Sequence, residues 1–263
     1  MCLRNGMKFL GLLFILIGIE CCFAQPTLDV NIPVDDIINR VDQNYSAIET
    51  IRGQLKSTSN SELKSLESLG RFYIQGQAKY HIHYIKPYDQ QFISNGDTLW
   101  IYTPKDKSVI QIDISQASPF DQIIVNSLAT FDVNPFNSLR KGFSFELADT
   151  LAGSYIVKAV PVTPSGLVSQ VLVKVDPGKW VVLAREIFDM SLTLVSQTLY
   201  SNFGQFGRSI WFPRRIEARS VVNGKVVLQK IDFKRIKINL PIDAAKFKFK
   251  IPEGVDVKSN YDG

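Results

Sequence analysis

Residues 71–84 read RFYIQGQAKYHIHY, and their side chains divide between two faces in steps of two. One face receives large apolar side chains, those of Phe72, Ile74, Tyr80, Ile82 and Tyr84. Successive side chains of a β-strand point to opposite sides, so the spacing predicts strand structure with one apolar face. Gly76 lies in the middle and indicates a bulge or bend, so the stretch is either one long curved strand or two strands.

Strand signals continue along most of the chain. Asn95-Gly96 separates two apolar runs, 91–94 and 98–103, and is a strong hairpin signal. A further strand is predicted after the turn at 104–107, with Ile110, Ile112 and Ile114 on one face, and others are predicted around 143–148, 154–162, 169–176, 180–189, 191–203, 208–221, 225–239 and 246–251. Consecutive strands with short turns favour an antiparallel meander.

Helical spacing appears at two places. Apolar residues recur at helical intervals over 34–50, which predicts one amphipathic helix, and residues 117–141 predict two short helices or one interrupted helix. A helix with one apolar stripe must pack on something else. The sequence therefore predicts a mainly β fold with some α, an open (unclosed) antiparallel β-barrel with helices over its concave side.

The first 24 residues predict export. Basic residues precede an apolar run that is too short to span a bilayer, which is typical of a signal peptide, here 1–24, followed by one domain over 25–263. All three cysteines (Cys2, Cys21 and Cys22) lie in this segment, so residues 25–263 cannot form a disulfide framework or a thiolate site. We expect a periplasmic protein; the alternative is a lipid anchor at Cys21 or Cys22.

The sequence offers little for catalysis. His81 and His83 could form half of a metal site, but an exposed strand face is the favoured interpretation. We find no Gly-x-Ser-x-Gly elbow and no glycine-rich phosphate loop, so we expect no enzyme, no cofactor and no metal. The net charge of +5 is modest. The basic stretches 213–215 and 234–237 predict solvent-exposed faces rather than nucleic-acid binding, with contact to anionic lipid headgroups as the alternative.

Three blocks of sequence resemble one family. They are 80–104 (YHIHYIKPYDQQFISNGDTLWIYTP), 134–139 (NPFNSL) and 238–255 (INLPIDAAKFKFKIPEGV). In order and spacing they are similar to the LolA family of periplasmic lipoprotein carriers and to the related outer-membrane lipoprotein-sorting proteins, over about residues 30–257. The resemblance implies a helical lid over an open barrel that holds lipoprotein acyl chains. The cargo would pass from an inner-membrane ABC lipoprotein exporter to an outer-membrane acceptor.

Strand alternation and the resemblance together suggest which residues line such a cavity. The hairpin 91–103 presents two apolar faces, Leu99 with Ile101 and Trp100 with Tyr102, and the pattern does not choose between them. The expected cavity lining comprises Phe72, Ile74, Tyr80, Ile82, Tyr84, Phe92, Trp100 and Tyr102. The expected lid residues are Phe120, Ile124, Leu128, Phe136 and Leu139.

The chain departs from the family pattern at one point. Typical carriers have an arginine before a proline that helps to hold the lid closed, and here Gly76 and Gln77 occupy those positions. Arg71, Lys79 or Arg140 could replace that arginine. Two other functions are alternatives to a lipoprotein carrier. One is an RseB-like sensor of mislocalised lipoprotein or lipid, and the other is a membrane-anchored phospholipid- or glycolipid-binding protein.

Overall fold

The fold is described from a computed structural model, which covers residues 28–61, 64–76, 78–115, 133–164, 167–222 and 224–259. Two helices occur in this part of the chain, α1 (Val34–Ser46) and α2 (Phe136–Leu139), with 3₁₀ turns at Pro104–Asp106 and Ala244–Phe247. The strands are β1 (Thr50–Ser61), β2 (Lys64–Gln75), β3 (Lys79–Lys86), β4 (Gln90–Asn95), β5 (Thr98–Thr103), β6 (Ser108–Asp113), β7 (Phe143–Leu151), β8 (Ser154–Pro161), β9 (Gln170–Asp176), β10 (Val181–Phe188), β11 (Leu194–Phe206), β12 (Ile210–Val222), β13 (Lys225–Ile238) and β14 (Asp256–Ser259).

All the described strands belong to one sheet, in the order β14-β6-β5-β4-β3-β2-β1-β13-β12-β11-β10-β9-β8-β7. Two antiparallel meanders, β1 to β6 and β7 to β13, are joined where β1 pairs with β13. The strands β14 and β7 form the two edges, so the sheet does not close on itself. This confirms the predicted class, a mainly β fold with an unclosed antiparallel sheet.

The stretch 71–84 forms two strands rather than one. Gly76 has a φ of +58° and begins the turn between β2 and β3, a left-handed conformation that glycine adopts without steric cost. Its amide donates to the carbonyl oxygen of Glu49 at 2.8 Å. Ile74 lies opposite Tyr80 across the hairpin, so the apolar alternation stays on one face through the turn.

The Asn95-Gly96 hairpin is confirmed. Gly96 has a φ of +106°, and the Asn95 side-chain oxygen accepts hydrogen bonds from the amides of Asp97 at 2.9 Å and Thr98 at 2.8 Å. Asparagine stabilises turns in this way by replacing a backbone acceptor. The turn fixes the register of β4 against β5.

The C-terminal prediction is wrong in one place. Residues 246–251 were predicted to form a strand, but a 3₁₀ turn over Ala244–Phe247 is followed by irregular chain. The Asp243 carboxylate accepts a hydrogen bond from the Ala245 amide at 2.9 Å, which starts that turn. The strand comes later, as β14, and pairs in parallel with β6. Helix α1 also ends four residues before the predicted limit.

The sheet has an inner face, defined here as the face in contact with α1 and α2, and an outer face. Ile37, Ile38 and Val41 of α1 are buried in a single apolar cluster that includes inner-face residues of both meanders. Asn44 fastens the helix to β12: its side-chain nitrogen donates to the Trp211 carbonyl at 3.1 Å, and the Trp211 amide donates to its oxygen at 2.9 Å. The amphipathic helix therefore packs as its single stripe requires.

Candidate functional site

Strand register aligns apolar residues into rows across the inner face. One row runs from Gly53 on β1 through Phe72, Ile82 and Phe92 to Ile101 on β5, each residue lying opposite the next. Directly paired side chains on one face of an antiparallel sheet lie about 5 Å apart and touch. The row is therefore a continuous apolar surface across five strands.

Gly53 makes room for the aromatic ring in this row. A Cβ atom at Gly53 would lie 2.8 Å from the Phe72 ring and 2.8 Å from the Lys234 carbonyl oxygen. Any larger residue would force the ring or the backbone of β13 to move. The ring of Phe72 thus lies over β1, and its centroid is 5.1 Å from that of Phe233 on β13 in an edge-on contact.

The inner face combines a buried floor with half-buried side chains above it. Phe72 and Ile82 are 0% and 1% exposed. Four further apolar residues pack against the buried cluster but keep part of their surface uncovered: Ile74, Tyr84, Phe92 and Ile101. Partly uncovered apolar groups on an inward-facing surface can gain free energy by contact with another apolar molecule.

Tyr84 contributes a hydroxyl group to this otherwise apolar surface. Its ring meets Phe92 edge-on with centroids 6.0 Å apart. Burial raises the pKa of the Tyr84 phenol to about 12, and a hydrogen bond with the Ser57 side chain acts in the opposite direction. Ser57 also accepts a hydrogen bond from the Gln229 amide at 3.4 Å. The phenol is therefore neutral at physiological pH and adds no charge to the apolar face.

Tyr80 lies in a neighbouring row, opposite Ile74 on β2 and Ser94 on β4. Burial raises the pKa of its phenol above the usual value. Its hydroxyl oxygen has no hydrogen-bond partner within the part of the chain that the structure describes. A buried hydroxyl without a partner carries a desolvation cost, so a polar group that reached it would be stabilised.

Trp100 and Tyr102 are not on the inner face, contrary to the expected lining. The ring centroids of Trp100 and Tyr102 lie 6.0 and 5.4 Å from that of Phe249, in the C-terminal segment on the outer face. Leu99, fully buried, and Ile101 take the inner positions instead. The predicted inward placement of Trp100 and Tyr102 is therefore wrong, and Leu99 and Ile101 occupy the inner positions of β5. In the sequence, the two apolar faces of this hairpin and the apolar Phe247 and Phe249 are the signs that a second apolar layer covers it.

Two of the expected lid residues are described. Phe136 and Leu139 of α2 are 0% and 1% exposed, and Phe136 meets Phe145 of β7 edge-on at 5.9 Å between centroids. The other three, Phe120, Ile124 and Leu128, lie outside the described residues. Helix α2 thus packs on the same apolar cluster as α1.

Asp42 of α1 ties the two helices together. It accepts a hydrogen bond from the Asn134 side-chain nitrogen at 2.8 Å and forms an ion pair with Arg140, just after α2. Arg71, by contrast, is exposed on the outer face of β2, and Lys79 is exposed at the start of β3. Among Arg71, Lys79 and Arg140, Arg140 is the one that connects the two helices within the part of the chain that the structure describes.

We expect Asp42→Ala to loosen α2 from α1. The change removes the acceptor for both Asn134 and Arg140, and because the pair is partly exposed the cost in unfolding free energy is about 1 kcal/mol. Hydrogen exchange measured at the amides of 136–140 should accelerate. The control Gln43→Ala changes an exposed neighbour on the same helix and should leave that exchange unchanged; equal acceleration in both variants contradicts the assignment.

The histidine pair already has protein partners. His81 hydrogen-bonds with Gln91 at 3.2 Å, and His83 with Asp89 at 2.9 Å. Burial lowers the pKa of His81, as does the positive charge of nearby groups, while its hydrogen bonds act in the opposite direction. Within the described ranges, no group of three or more His, Cys, Asp or Glu side chains is arranged to hold a metal ion.

No helix in the ranges that the structure describes has the length and apolar character needed to cross a membrane.

Two curated proteins that are similar in sequence to this chain have the same name. The chain is 27% identical over 191 residues to the outer-membrane lipoprotein carrier protein of Methylococcus capsulatus, covering 73% of this chain and 71% of that one. It is 26% identical over 202 residues to the protein of the same name from Leptothrix cholodnii, covering 76% and 74% of the two chains.

Solved structures share the fold. A LolA superfamily protein of Nitrosomonas europaea superposes with a TM-score of 0.56 at 15% identity, over 83% of this chain and 98% of that one. An outer-membrane lipoprotein-sorting protein domain of Vibrio parahaemolyticus superposes with a TM-score of 0.58 at 14% identity, over 81% and 94%. At this level of identity the likeness shows the fold alone.

A family model with the description "Uncharacterized protein" matches residues 76–250, which is more than half of the chain. The match runs from Gly76, at the turn before β3, to Lys250 and includes β3 to β13 and α2. The chain therefore belongs to the family that this model describes; its curated relatives are named outer-membrane lipoprotein carrier proteins, and it shares the fold of a LolA superfamily protein.

Proposed function

We propose that this protein is a periplasmic carrier that binds the acyl chains of lipoproteins on its inner face and moves them between the inner and outer membranes. The observation that carries the proposal is the partly uncovered apolar surface formed by Ile74, Tyr84, Phe92 and Ile101 above a buried floor. The names of the curated relatives support the same role.

The physical basis is transfer of a hydrocarbon chain between apolar surroundings. Each methylene removed from water contributes about 0.8 kcal/mol, so a chain held on the inner face stays bound without any covalent step. Release needs only a competing apolar site. The proposed donor is an inner-membrane ABC lipoprotein exporter, and the proposed recipient is an outer-membrane acceptor.

The helices supply the movable part of this proposal. Helices α1 and α2 cover the inner face and are tied to each other through Asp42. A cargo chain that binds better when the cover is displaced shifts the population toward the displaced state. In this scheme the ion pair with Arg140 favours the covered state when no cargo is bound.

Extraction of lipoprotein from membranes tests the proposal. Mature protein, residues 25–263, is incubated with spheroplasts that have been labelled with radioactive palmitate, and labelled lipoprotein is measured in the supernatant. We expect the protein to release labelled lipoprotein in proportion to its concentration. A sensor would bind the labelled species without releasing it, so binding without release, or neither, contradicts the carrier proposal.

A further inference from the structure

A broad basic surface lies on the outer face, opposite the face proposed to hold acyl chains. Two adjoining concavities share Lys56 and Lys234 in their walls, and their volumes are about 540 and 360 Å³. Seven cationic side chains line them: Lys56, Arg71, Lys86, Arg214, Arg215, Lys230 and Lys234. We call these residues the basic groove.

The strand register explains why these cations converge. Inner positions of β1 and β13 are apolar, as with Leu55 opposite Phe233, so the intervening residues point outward. Lys56 therefore lies opposite Asp232, and Lys234 lies opposite Gln54 on the same face. The pairing of the two meanders thus gathers charges that are far apart in the sequence.

The positive charge of the basic groove is only partly neutralised by carboxylates. Asp232 accepts from Arg215 at 2.7 Å and lies 3.9 Å from Lys230, while Lys56 pairs with Glu67 at 2.7 Å. Among the described residues that line the two concavities, Asp232 is the one carboxylate. No ion pair joins Arg71, Lys86 or Lys234 to any residue that the structure describes. Arg214 also forms no ion pair with these residues, but its guanidinium lies over the Phe206 ring, 5.9 Å from the centroid.

Exposed apolar side chains lie beside the unpaired cations. Leu69 and Ile85, 45% and 42% exposed, line the smaller concavity with Arg71 and Lys86. Cations next to exposed aliphatic groups match the boundary between lipid headgroups and acyl chains, where charges meet phosphates and apolar tips insert shallowly. A soluble phosphate would gain nothing from Leu69 and Ile85, and neither would a purely acidic protein surface.

We propose that the basic groove, with Leu69 and Ile85, is a docking surface for the anionic phospholipids of a bilayer. Each lysine or arginine close to an anionic membrane contributes about 1 kcal/mol, which is about a fivefold change in partitioning. Docking through the outer face leaves the inner face free. The inference goes beyond the proposed carrier function and does not depend on it, because vesicle binding needs no cargo.

Vesicle sedimentation tests the docking surface. Mature protein is mixed with vesicles of equal parts phosphatidylglycerol and phosphatidylcholine, or with phosphatidylcholine vesicles alone, at low and high salt. We expect binding to the anionic vesicles only, with loss at high salt because exposed charges are screened. The triple variant Arg214→Gln/Lys230→Gln/Lys234→Gln should bind the anionic vesicles about a hundredfold more weakly.

A matched triple variant shows whether a loss of binding is caused by the groove residues or by the lower net charge. Lys174→Gln/Arg208→Gln/Lys250→Gln removes the same charge from residues outside the groove and should bind as the wild type does. Equal loss in both triple variants overturns the proposal, as does unchanged binding by the groove variant. Circular dichroism checks that each variant is folded, which we expect because the exchanged side chains are not buried.

A variant of the two apolar residues, Leu69 and Ile85, distinguishes binding to a bilayer from binding to other anionic ligands. Leu69→Ser/Ile85→Ser should weaken binding to anionic vesicles and leave binding to polyglutamate and to inorganic phosphate unchanged. Wild-type binding to inorganic phosphate without vesicle binding would assign the groove to a soluble anion and overturn the proposal. Binding to polyglutamate without vesicle binding would assign it to an acidic protein, with the same consequence.

Discussion

Phe92→Glu is expected to lower the affinity of the protein for a fluorescent fatty acid by tenfold or more. Phe92 lies on the inner face between Ile82 and Ile101, touches Tyr84, and is only partly buried. A carboxylate there would be desolvated by a bound acyl chain, and burial of an unpaired polar or charged group costs at least about 1–3 kcal/mol. Fluorescence titration measures the loss directly.

Position 92 suits this test better than its neighbour in the row. Ile82 is 1% exposed, so a carboxylate there would enter the folded core and unfolding would obscure any loss of binding. Tyr84→Glu is a second informative variant, because Tyr84 is also partly uncovered. Both changes place a charge where the folded protein itself does not fully exclude water.

Leu228→Glu is the matched control. Leu228 is a large apolar residue of β13, 46% exposed and on the outer face, since inner positions of this strand are those of Ile231 and Phe233. The control introduces the same charge and should leave fatty-acid affinity unchanged. If Phe92→Glu remains folded and binds the probe as tightly as the wild type, the inner face is not the acyl-chain site.

The period-2 pattern of residues 71–84 was sufficient to predict their face. Both strands of that hairpin have one apolar side and one polar side, and the turn at Gly76 preserves the alternation because Ile74 pairs with Tyr80. The same reasoning gave the antiparallel pairing within each meander, since each hairpin pairs neighbours in the sequence. An alternating pattern predicts the inward face of a strand where one face is buried and the other is exposed.

The hairpin β4–β5 could not be oriented in this way. Its two faces are both apolar because the C-terminal segment covers the outer side and places Phe249 against Trp100 and Tyr102. That contact joins residues about 150 positions apart, and no local period reports it. The tail itself looked like a strand because Phe247 and Phe249 alternate, but the cap at Asp243 begins a 3₁₀ turn instead.

The pairing of β1 with β13 was also beyond local reasoning. It joins residues nearly 190 positions apart, as with Ile51 opposite Ile238, and it creates the junction of the two meanders and the basic groove. The sequence showed basic residues at 214–215 and at 234, and their meeting with Lys56 depends on that pairing. Sites made by non-local strand register need the structure.

Phe72→Ala is expected to lower the free energy of unfolding by about 3–5 kcal/mol, the usual cost of removing a fully buried aromatic ring. Phe72 is 0% exposed and meets Phe233 edge-on at 5.1 Å, and Phe233 in turn lies 5.9 Å from Phe212 on β12. The ring therefore packs across the junction of the two meanders. Urea denaturation followed by circular dichroism measures the change.

A conservative change and an outward neighbour serve as controls. Phe72→Leu keeps an apolar side chain in the row and should cost less than half as much as the alanine variant. Tyr73→Ala lies on the same strand but on the outer face, where its ring is near His81 and Lys246, and it should also cost less. Equal losses at 72 and 73 would contradict the role of the buried ring.

A double-mutant cycle with Gly53 tests the junction itself. Gly53→Ala places a Cβ atom 2.8 Å from the Phe72 ring and 2.8 Å from the Lys234 carbonyl oxygen, so it should destabilise the wild type. In the Phe72→Ala background the ring contact is gone and only the carbonyl contact remains, so the same change should cost less. Neighbouring residues that share a contact are expected to be non-additive. Strict additivity would show that the ring does not occupy the space above Gly53, and the inner row would then begin at Phe72 rather than cross onto β1.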